Sequence, residues 1–527
     1  MRYILIFLLI ITGCLYKGVG YSESESQYSD YLKASYLYNS GDLDKALIYF
    51  KKLDKSSDSA HIKGLIANIY INQGRFTAAK NILLEGIKKH KDPDLYFKLG
   101  ILYGKIYDNC NEALSYLEKA ISLKKDAKYL LATAECYENI GEYVKALDVY
   151  DSLLKKNENP LFHYRKGIIY TKLNMFEQAK KEYMKAIEVG DHLKSYLNLS
   201  EIYIIQKNYD EAIGLLKKVI DDFGDILVAK KRLAEIYSET GENKKALELF
   251  TSIIDKLDDE NKAKILKEIG FLYLNNNKYD KAYEYFKKVL EIQPSDYQTL
   301  YFIAFISELN KNYKRAEEYY LKALEIRKDF AFAKKRLAVT YINEGKFEEA
   351  EDMLESIDNA SIDVDYYLIK SLLYKKMDKI DNALDILLKA KKEYPASLEV
   401  LFELASIYEM QKEYDKCENI LKEALALEPE NPIFLNFLGY LYAELGKNLD
   451  EAYKLINKAL EKDPDNPAYI DSLAWVLYKQ KRYKEAYKLQ KKALRSNPSE
   501  EEFVKHMNSI LKAMGSDETI DEIINEK

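Results

Sequence analysis

Side chains that could carry chemistry occur throughout this sequence, but their spacing removes most of the reactions they could serve. The five histidines, His61, His90, His163, His192 and His506, are scattered, with no second ligand at the spacing a metal site requires. The phosphate-cradling pattern GxxxxGKS/T, the nucleophile elbow GxSxG and the zinc pattern HExxH are all missing. Cys110, Cys136 and Cys417 form no CxxC pair and share no repeated spacing, so they read as buried free thiols. The 80 Lys and Arg against 86 Asp and Glu leave a formal net charge of −6 with no basic stripe. Such local alternation marks solvated helix faces with i,i+4 pairs and disfavours a nucleic-acid partner. Catalysis, a metal and a cofactor are therefore not expected. What remains is one cysteine near the N-terminus, Cys14, and an abundance of aromatic rings.

The rings are crowded and they recur. Residues 277–296, NKYDKAYEYFKKVLEIQPSD, set Tyr279, Tyr283, Tyr285 and Phe286 on one short stretch, and near copies appear along the chain. Aligned on a small residue, the copies give Ala46, Ala79, Ala113, Ala146, Ala179, Ala212, Ala246, Ala282, Ala316, Ala350, Ala383, Cys417, Ala452 and Ala486, in steps of 33 to 36 residues. A period of this size predicts a solenoid of stacked helical units.

A second small residue stands twelve or thirteen positions earlier in each unit, for example Ala67, Gly167, Gly270 and Gly439. Three residues after it comes a large one, usually tyrosine (Tyr70, Tyr137, Tyr170, Tyr203, Tyr237, Tyr273, Tyr341, Tyr374, Tyr408, Tyr442). Small residues where two backbones approach and large ones beside them are what paired helices need. Gly41, Gly74, Gly141, Asn174, Gly241, Asn277, Gly345 and Asp378 fall between the two helices, where a left-handed residue ends the first. Asp44, Asp210, Asp280, Asp381, Asp415 and Asp450 then open the second, facing the positive end of its dipole. All nine prolines lie between units, and no strand pattern competes. Most tyrosines, including those of 277–296, are thus expected to be packing residues.

At this point the sequence resembles the tetratricopeptide repeat family over roughly residues 27–498, with close copies at 438–464 (LGYLYAELGKNLDEAYKLINKALEKDP) and 473–498 (LAWVLYKQKRYKEAYKLQKKALRSNP). The resemblance implies an all-α fold, a right-handed superhelical α-solenoid of about fourteen helix-turn-helix repeats. Extra residues before Ala113 and Ala452, and padding near Asn276, are expected to be local loop changes. The family lines its concave face with the second, fifth, ninth and twelfth positions of each first helix. Carried over, those positions hold the aromatics Phe271, Tyr301, Phe305, Phe332, Tyr440, Trp475 and Tyr478, a candidate groove for a protein or peptide ligand. The family's chaperone-tail clamp is not expected: no three consecutive units supply its residues, and Asn68 has Gly64 and Lys98 where a lysine and an asparagine belong.

The N-terminus, MRYILIFLLIITGC, has one positive charge and an apolar core from Tyr3 to Ile11, too short to span a bilayer and suited to a secretory signal. Ile11, Thr12, Gly13 and Cys14 resemble the bacterial lipobox, in which the cysteine is acylated and becomes the mature N-terminus. The resemblance implies a signal peptide over 1–13, a lipid-anchored tether over 14–26, and, with Leu15 next, sorting to an outer membrane facing the periplasm. Ordinary cleavage near Gly20 and a retained anchor are the alternatives. At the other end, residues 499–527 are expected to cap the last repeat, with a Ser499/Glu502 capping box and an apolar stripe of Phe503, Met507, Ile510, Leu511 and Met514. With these features the chain resembles the bacterial tetratricopeptide lipoproteins, and that resemblance implies an exported scaffold of the cell envelope, serving assembly, pilus or polysaccharide export. A cytoplasmic or inner-membrane-tethered adaptor or co-chaperone is the alternative, and an enzyme a distant third.

Overall fold

A computed structural model describes residues 23–525 of the chain. Cys14, the expected signal over 1–13 and most of the expected tether lie outside the described residues. The first helix, Glu23–Asn39, begins inside the tail of that tether. No described residue lies in a strand, and no described helix is long and apolar enough to cross a membrane.

The chain divides into two compact units, residues 1–253 and 254–527. The first holds seven helix pairs, from Glu23–Asn39 with Leu43–Ser57 to Leu227–Glu239 with Asn243–Ile253. The second holds seven more, from Asp259–Asn275 with Tyr279–Ile292 to Pro467–Lys479 with Tyr483–Ser496, followed by Glu501–Met514 and Ile520–Asn525. Each unit is a stack in which a helix touches mainly its sequence neighbours, so a core is continuous along the stack without any central layer.

The periodic small residues sit where the stacking demands them. Ala46, Ala113, Ala212, Ala282, Ala350, Cys417 and Ala486 are all fully buried. Gly270 shows why nothing larger fits at the other small position: a Cβ there would lie 2.6 Å from the ring of Phe286. Phe286 is itself fully buried, while Tyr279 and Tyr283 pack at the edge of its cluster. The tyrosines of 277–296 are therefore packing residues. A second regularity involves the recurring tyrosine after the small residue. A lysine lies over its ring at 5.0 to 6.0 Å in repeat after repeat, as Lys245 does on Tyr237, Lys281 on Tyr273, Lys346 on Tyr341 and Lys416 on Tyr408.

Every repeat also turns on a left-handed residue. Gly41, Gly74, Gly141, Asn174, Gly241, Asn277, Gly345 and Asp378 all have positive φ, and Asp108, Lys207, Lys311, Lys412, Gly446 and Lys481 take the same role elsewhere. The lysines carry no signature for this conformation; the turn geometry imposes it. Asp44, Asp210, Asp280, Asp381, Asp415 and Asp450 lie in the first turn of their second helices.

The irregular repeats differ from one another. In the third, the extra residue is absorbed inside the first helix, as a π-helical turn over Leu102–Ile106, and not in the loop. In the thirteenth it lies in the turn, where Asn448 is left-handed as well as Gly446. The eighth simply has a longer first helix, Asp259–Asn275.

Candidate functional site

Within the second unit, the first helices of repeats eleven, twelve and thirteen, Val364–Lys376, Leu398–Met410 and Pro432–Glu444, lie side by side. Each starts on a polar cap whose side chain accepts a backbone N–H: Asp363 from Tyr366, Ser397 from Val400, Asn431 from Ile433. One face of each helix is buried against its own repeat through Leu373, Ile407 and Leu441. The face turned away bounds an open cleft of about 570 Å³, with a floor of Leu368, Ile369, Leu372, Phe402, Ile433 and Phe434.

The cleft is apolar at its floor and charged at its rim. Phe402 is 37% and Ile433 50% exposed, and Phe402 meets Phe434 and Phe437 edge-on at 6.3 and 5.8 Å. Lys375 is ion-paired with Glu403, and Glu399, whose own backbone N–H and the Ser397 hydroxyl hold its carboxyl below the usual range, lies at the other end. Further along Leu398–Met410, burial pushes the Glu409 carboxyl upward, and the carboxylates of Glu502 and Glu444 add to the effect. No Ser, Thr, Cys or His lines the cleft, and among the described residues no cluster of His, Cys, Asp and Glu could hold a metal. Such a surface can desolvate apolar side chains of a bound segment and orient it by charge.

The aromatics expected to form the groove are divided by the structure into two groups. Phe271, Tyr301, Phe305 and Phe332 come together, but only through rings not foreseen. Phe302 bridges Phe271 (4.7 Å) to Tyr301 (5.1 Å), and Phe330 bridges Tyr301 (5.3 Å) to Phe332 (6.1 Å). Phe305 lies parallel to Tyr301, 6.5 Å away, with the Arg336 guanidinium 5.2 Å from its ring centre. Of the four only Phe332 is well exposed, at 60%; the other three are half-buried and contribute to packing.

Tyr440 and Trp475 require a correction, because the C-terminal helix Glu501–Met514 reaches them, while Tyr478 is half-buried beside Trp475. Trp475 is buried and stacks on His506 at 4.1 Å, with Tyr478 on its other side at 4.7 Å. His506 is held by both oxygens of Asp471 at 3.0 and 2.9 Å, and Asp471 also accepts from Gln490. The Tyr440 hydroxyl donates to Glu502. Tyr440 and Trp475 are glue for the cap, and Trp475 is not an open groove residue. The expected capping box does not form either: Glu500 is the cap residue but its side chain accepts from Asn497 Nδ2 and not from a helix N–H, the Ser499 hydroxyl donates to Asn497, and Glu502 is turned to Tyr440. Phe503, Met507, Ile510 and Leu511 are buried as the stripe requires, but Met514 is 38% exposed. In the first unit, Lys98 donates to Asn68 at 2.7 Å, and burial lowers its pKa; these two polar residues satisfy one another.

The cleft residues were within reach of the same positional rule. Leu368, Leu372, Lys375, Glu399, Phe402 and Ile433 occupy the fifth, ninth and twelfth, or second and fifth, positions of repeats eleven to thirteen. Attention to aromatic rings alone passed over a floor that is largely aliphatic.

Tetratricopeptide repeat models match residues 37–99, 203–269, 308–370 and 418–476. Further models with the same description match 128–159 and 365–397, 162–189, 263–296, 398–431 and 468–497. The chain is similar to the TPR repeat-containing protein MJ1428 of Methanocaldococcus jannaschii, 24% identical over 345 residues covering 53% of this chain and 60% of that one. It is also similar to the TPR repeat-containing protein YpiA of Bacillus subtilis, 24% identical over 342 residues, 62% and 72% of the two chains. With the BBSome complex member BBS4 homolog of Drosophila melanogaster the identity is 23% over 306 residues, 48% and 61%. The chain thus spans about three fifths of the length of the first and third of these relatives. Among solved structures, a chain of the APC/C hetero-tetramer Cut9–Hcn1 aligns over 86% of this chain and 96% of its own, with 14% identity and a TM-score of 0.35. Fourteen helix pairs with a recurrent small-residue seam, matched by repeat models from residue 37 to 497, make this chain a member of the tetratricopeptide repeat family, a scaffold for protein–protein contact.

Proposed function

We propose that this protein is an exported, lipid-anchored scaffold that captures a segment of a partner protein in the cleft of repeats eleven to thirteen. The observation that carries the docking half is the cleft itself. Its floor of Leu368, Ile369, Leu372, Phe402, Ile433 and Phe434 is apolar and open, although a water-facing surface gains nothing by displaying it unoccupied. Glu399 lies on the rim and Glu409, on the same helix, feels the carboxylates of Glu502 and Glu444, so the fitting segment carries two or more apolar side chains and a basic one. The anchoring half rests on MRYILIFLLIITGC, whose apolar core ends in Ile-Thr-Gly-Cys. Acylation of Cys14 would hold the chain on the outer membrane facing the periplasm, with its repeats free to engage a partner in envelope assembly, pilus or polysaccharide export.

The test is cross-linking in intact envelopes followed by affinity purification, comparing the wild type with a Phe402→Asp/Ile433→Asp double variant of equal helicity. Loss of a specific cross-linked partner in the variant supports the cleft as its site. An unchanged set of adducts overturns it.

A further inference from the structure

Two cysteines replace large residues of the repeat pattern at places that touch. Three residues before the small seam residue, most other repeats carry a large residue such as Leu43, Phe76, Tyr143, Phe176, Tyr209, Tyr279, Tyr313 or Phe347, whereas repeat three carries Cys110. Two residues after the small residue of the first helix, others carry Ile69, Ile169, Ile202, Ile236, Ile306 or Ile407, whereas repeat four carries Cys136. Cys110 heads the helix Cys110–Leu123 and Cys136 lies in the last turn of Ala127–Asn139. Both are 6% exposed and share one small cluster with Ala113, Leu117 and Ala132.

Their sulfurs converge on Gly104, in the π-helical turn Leu102–Ile106. A Cβ at Gly104 would lie 3.0 Å from the Cys136 Sγ and 3.9 Å from the Cys110 Sγ, so the missing side chain is what leaves room for two sulfurs. Cys110 is near enough to raise the Cys136 pKa beyond the effect of burial, and Asn139 Nδ2 approaches the Cys110 Sγ at 3.8 Å. A small opening bounded by Gly104, Lys105, Glu135, Cys136 and Asn139 reaches the Cys136 side of the pair. Cys417, by contrast, is fully buried.

We propose that Cys110 and Cys136 are a dithiol that closes reversibly to an intramolecular disulfide by exchange with a low-molecular-weight disulfide. Burial pushes the Cys136 thiol up to about 12, and the exchange balances whichever of the two thiols attacks first. One thiolate of the pair attacks one sulfur of the oxidant, forms a mixed disulfide and expels one thiolate. The other thiol gives up its proton and attacks the sulfur of its partner cysteine, expelling the second thiolate, which the proton neutralises. The two protein thiols lose two electrons and the oxidant becomes two thiols. The product joins the second helix of repeat three to the first helix of repeat four, stiffening a place where the first helix is already interrupted by a π turn. An exported chain would meet such oxidants, but the chemistry does not depend on the cleft or on Cys14.

The full chain is incubated with oxidised glutathione, denatured, alkylated, digested and mapped by mass spectrometry without reduction. The expected result is one linked pair of peptides, those containing Cys110 and Cys136, two hydrogens lighter than their sum and separated by dithiothreitol, with Cys417 alkylated as before. Cys110→Ser should leave Cys136 free, and the oxidised wild type should melt several degrees higher than the reduced, a shift absent from Cys110→Ser. Full alkylation of both thiols after incubation, or arrest at a glutathione adduct on either cysteine, overturns the proposal.

Discussion

The imidazole of His506 lies flat against the indole of Trp475, with ring centroids 4.1 Å apart and planes 16° from parallel. Trp475 is the single tryptophan of the chain, so this contact makes its fluorescence a reporter for docking of the C-terminal helix. Deleting residues 499–527 would uncover Ile470, Ala493 and Leu494 along with it, all now buried under the cap. The deletion should shift tryptophan emission to the red, lower the unfolding midpoint and promote aggregation. His506→Ala should give a smaller red shift and cost about 2 kcal/mol, since it leaves the buried Asp471 without its imidazole partner. Unchanged emission in both variants would mean that the cap does not rest on Trp475.

The four left-handed lysines offer a test of turn strain. Lys311, Lys412 and Lys481 in the second unit and Lys207 in the first have φ between 57° and 65°. A non-glycine residue pays roughly 1–2 kcal/mol in this region, while glycine pays part of that back in unfolded-state entropy. Lys412→Gly should therefore stabilise by about 0.5–1 kcal/mol in urea titration, and Gly345→Lys should destabilise by a similar amount. Destabilisation by Lys412→Gly would show that the lysine side chain holds the turn.

These turns also show how far the sequence could be read. Ten of the fourteen left-handed turn positions are Gly, Asn or Asp and declare themselves, but a lysine in the same turn does not, because its conformation is dictated by the helices on either side. The repeat seam was legible because only a small residue fits where Gly270 meets Phe286. The covering of Tyr440 and Trp475 was not, since the contact between Tyr440 and Glu502 joins residues 62 apart in sequence. Nor was the pairing of Cys110 with Cys136, which depends on a π turn that no local pattern announces. The aliphatic floor of the cleft looked like ordinary core in Leu368 and Leu372 until the geometry left one side open.

Acid should loosen the second unit in a defined window. Glu418 is held down to about 2, first by its bond to Lys422 and further by Lys447 and Tyr442, against the opposing effect of burial. A depressed carboxyl contributes stability above its unfolded value of about 4.3 and loses it as pH falls toward 2. Glu418→Gln should therefore be less stable than the wild type at pH 6, and the difference should vanish near pH 2. A constant difference across that range would indicate lost packing, not lost charge.

Anchoring is tested at one atom. Replacing Cys14 with alanine should abolish labelling by an alkyne fatty acid and release the protein from the membrane fraction, because stable attachment needs two or more acyl chains. Equal labelling of variant and wild type would remove Cys14 from the account.

The measurement that bears most directly on the central claim places a photo-cross-linking amino acid singly at Phe402, at Ile433 and, as controls, at the half-buried Phe271 and at Asp385 on the second helix of repeat eleven. Irradiation in living cells should join the same partner to positions 402 and 433, with at most weak adducts at 271 and 385. An added Leu372→Asp substitution should reduce the yield at least tenfold, as loss of a central apolar anchor typically costs about 2 kcal/mol. Adducts that are equal at all four positions, or that persist with Leu372→Asp in a folded protein, would contradict a binding cleft on the first helices of repeats eleven to thirteen.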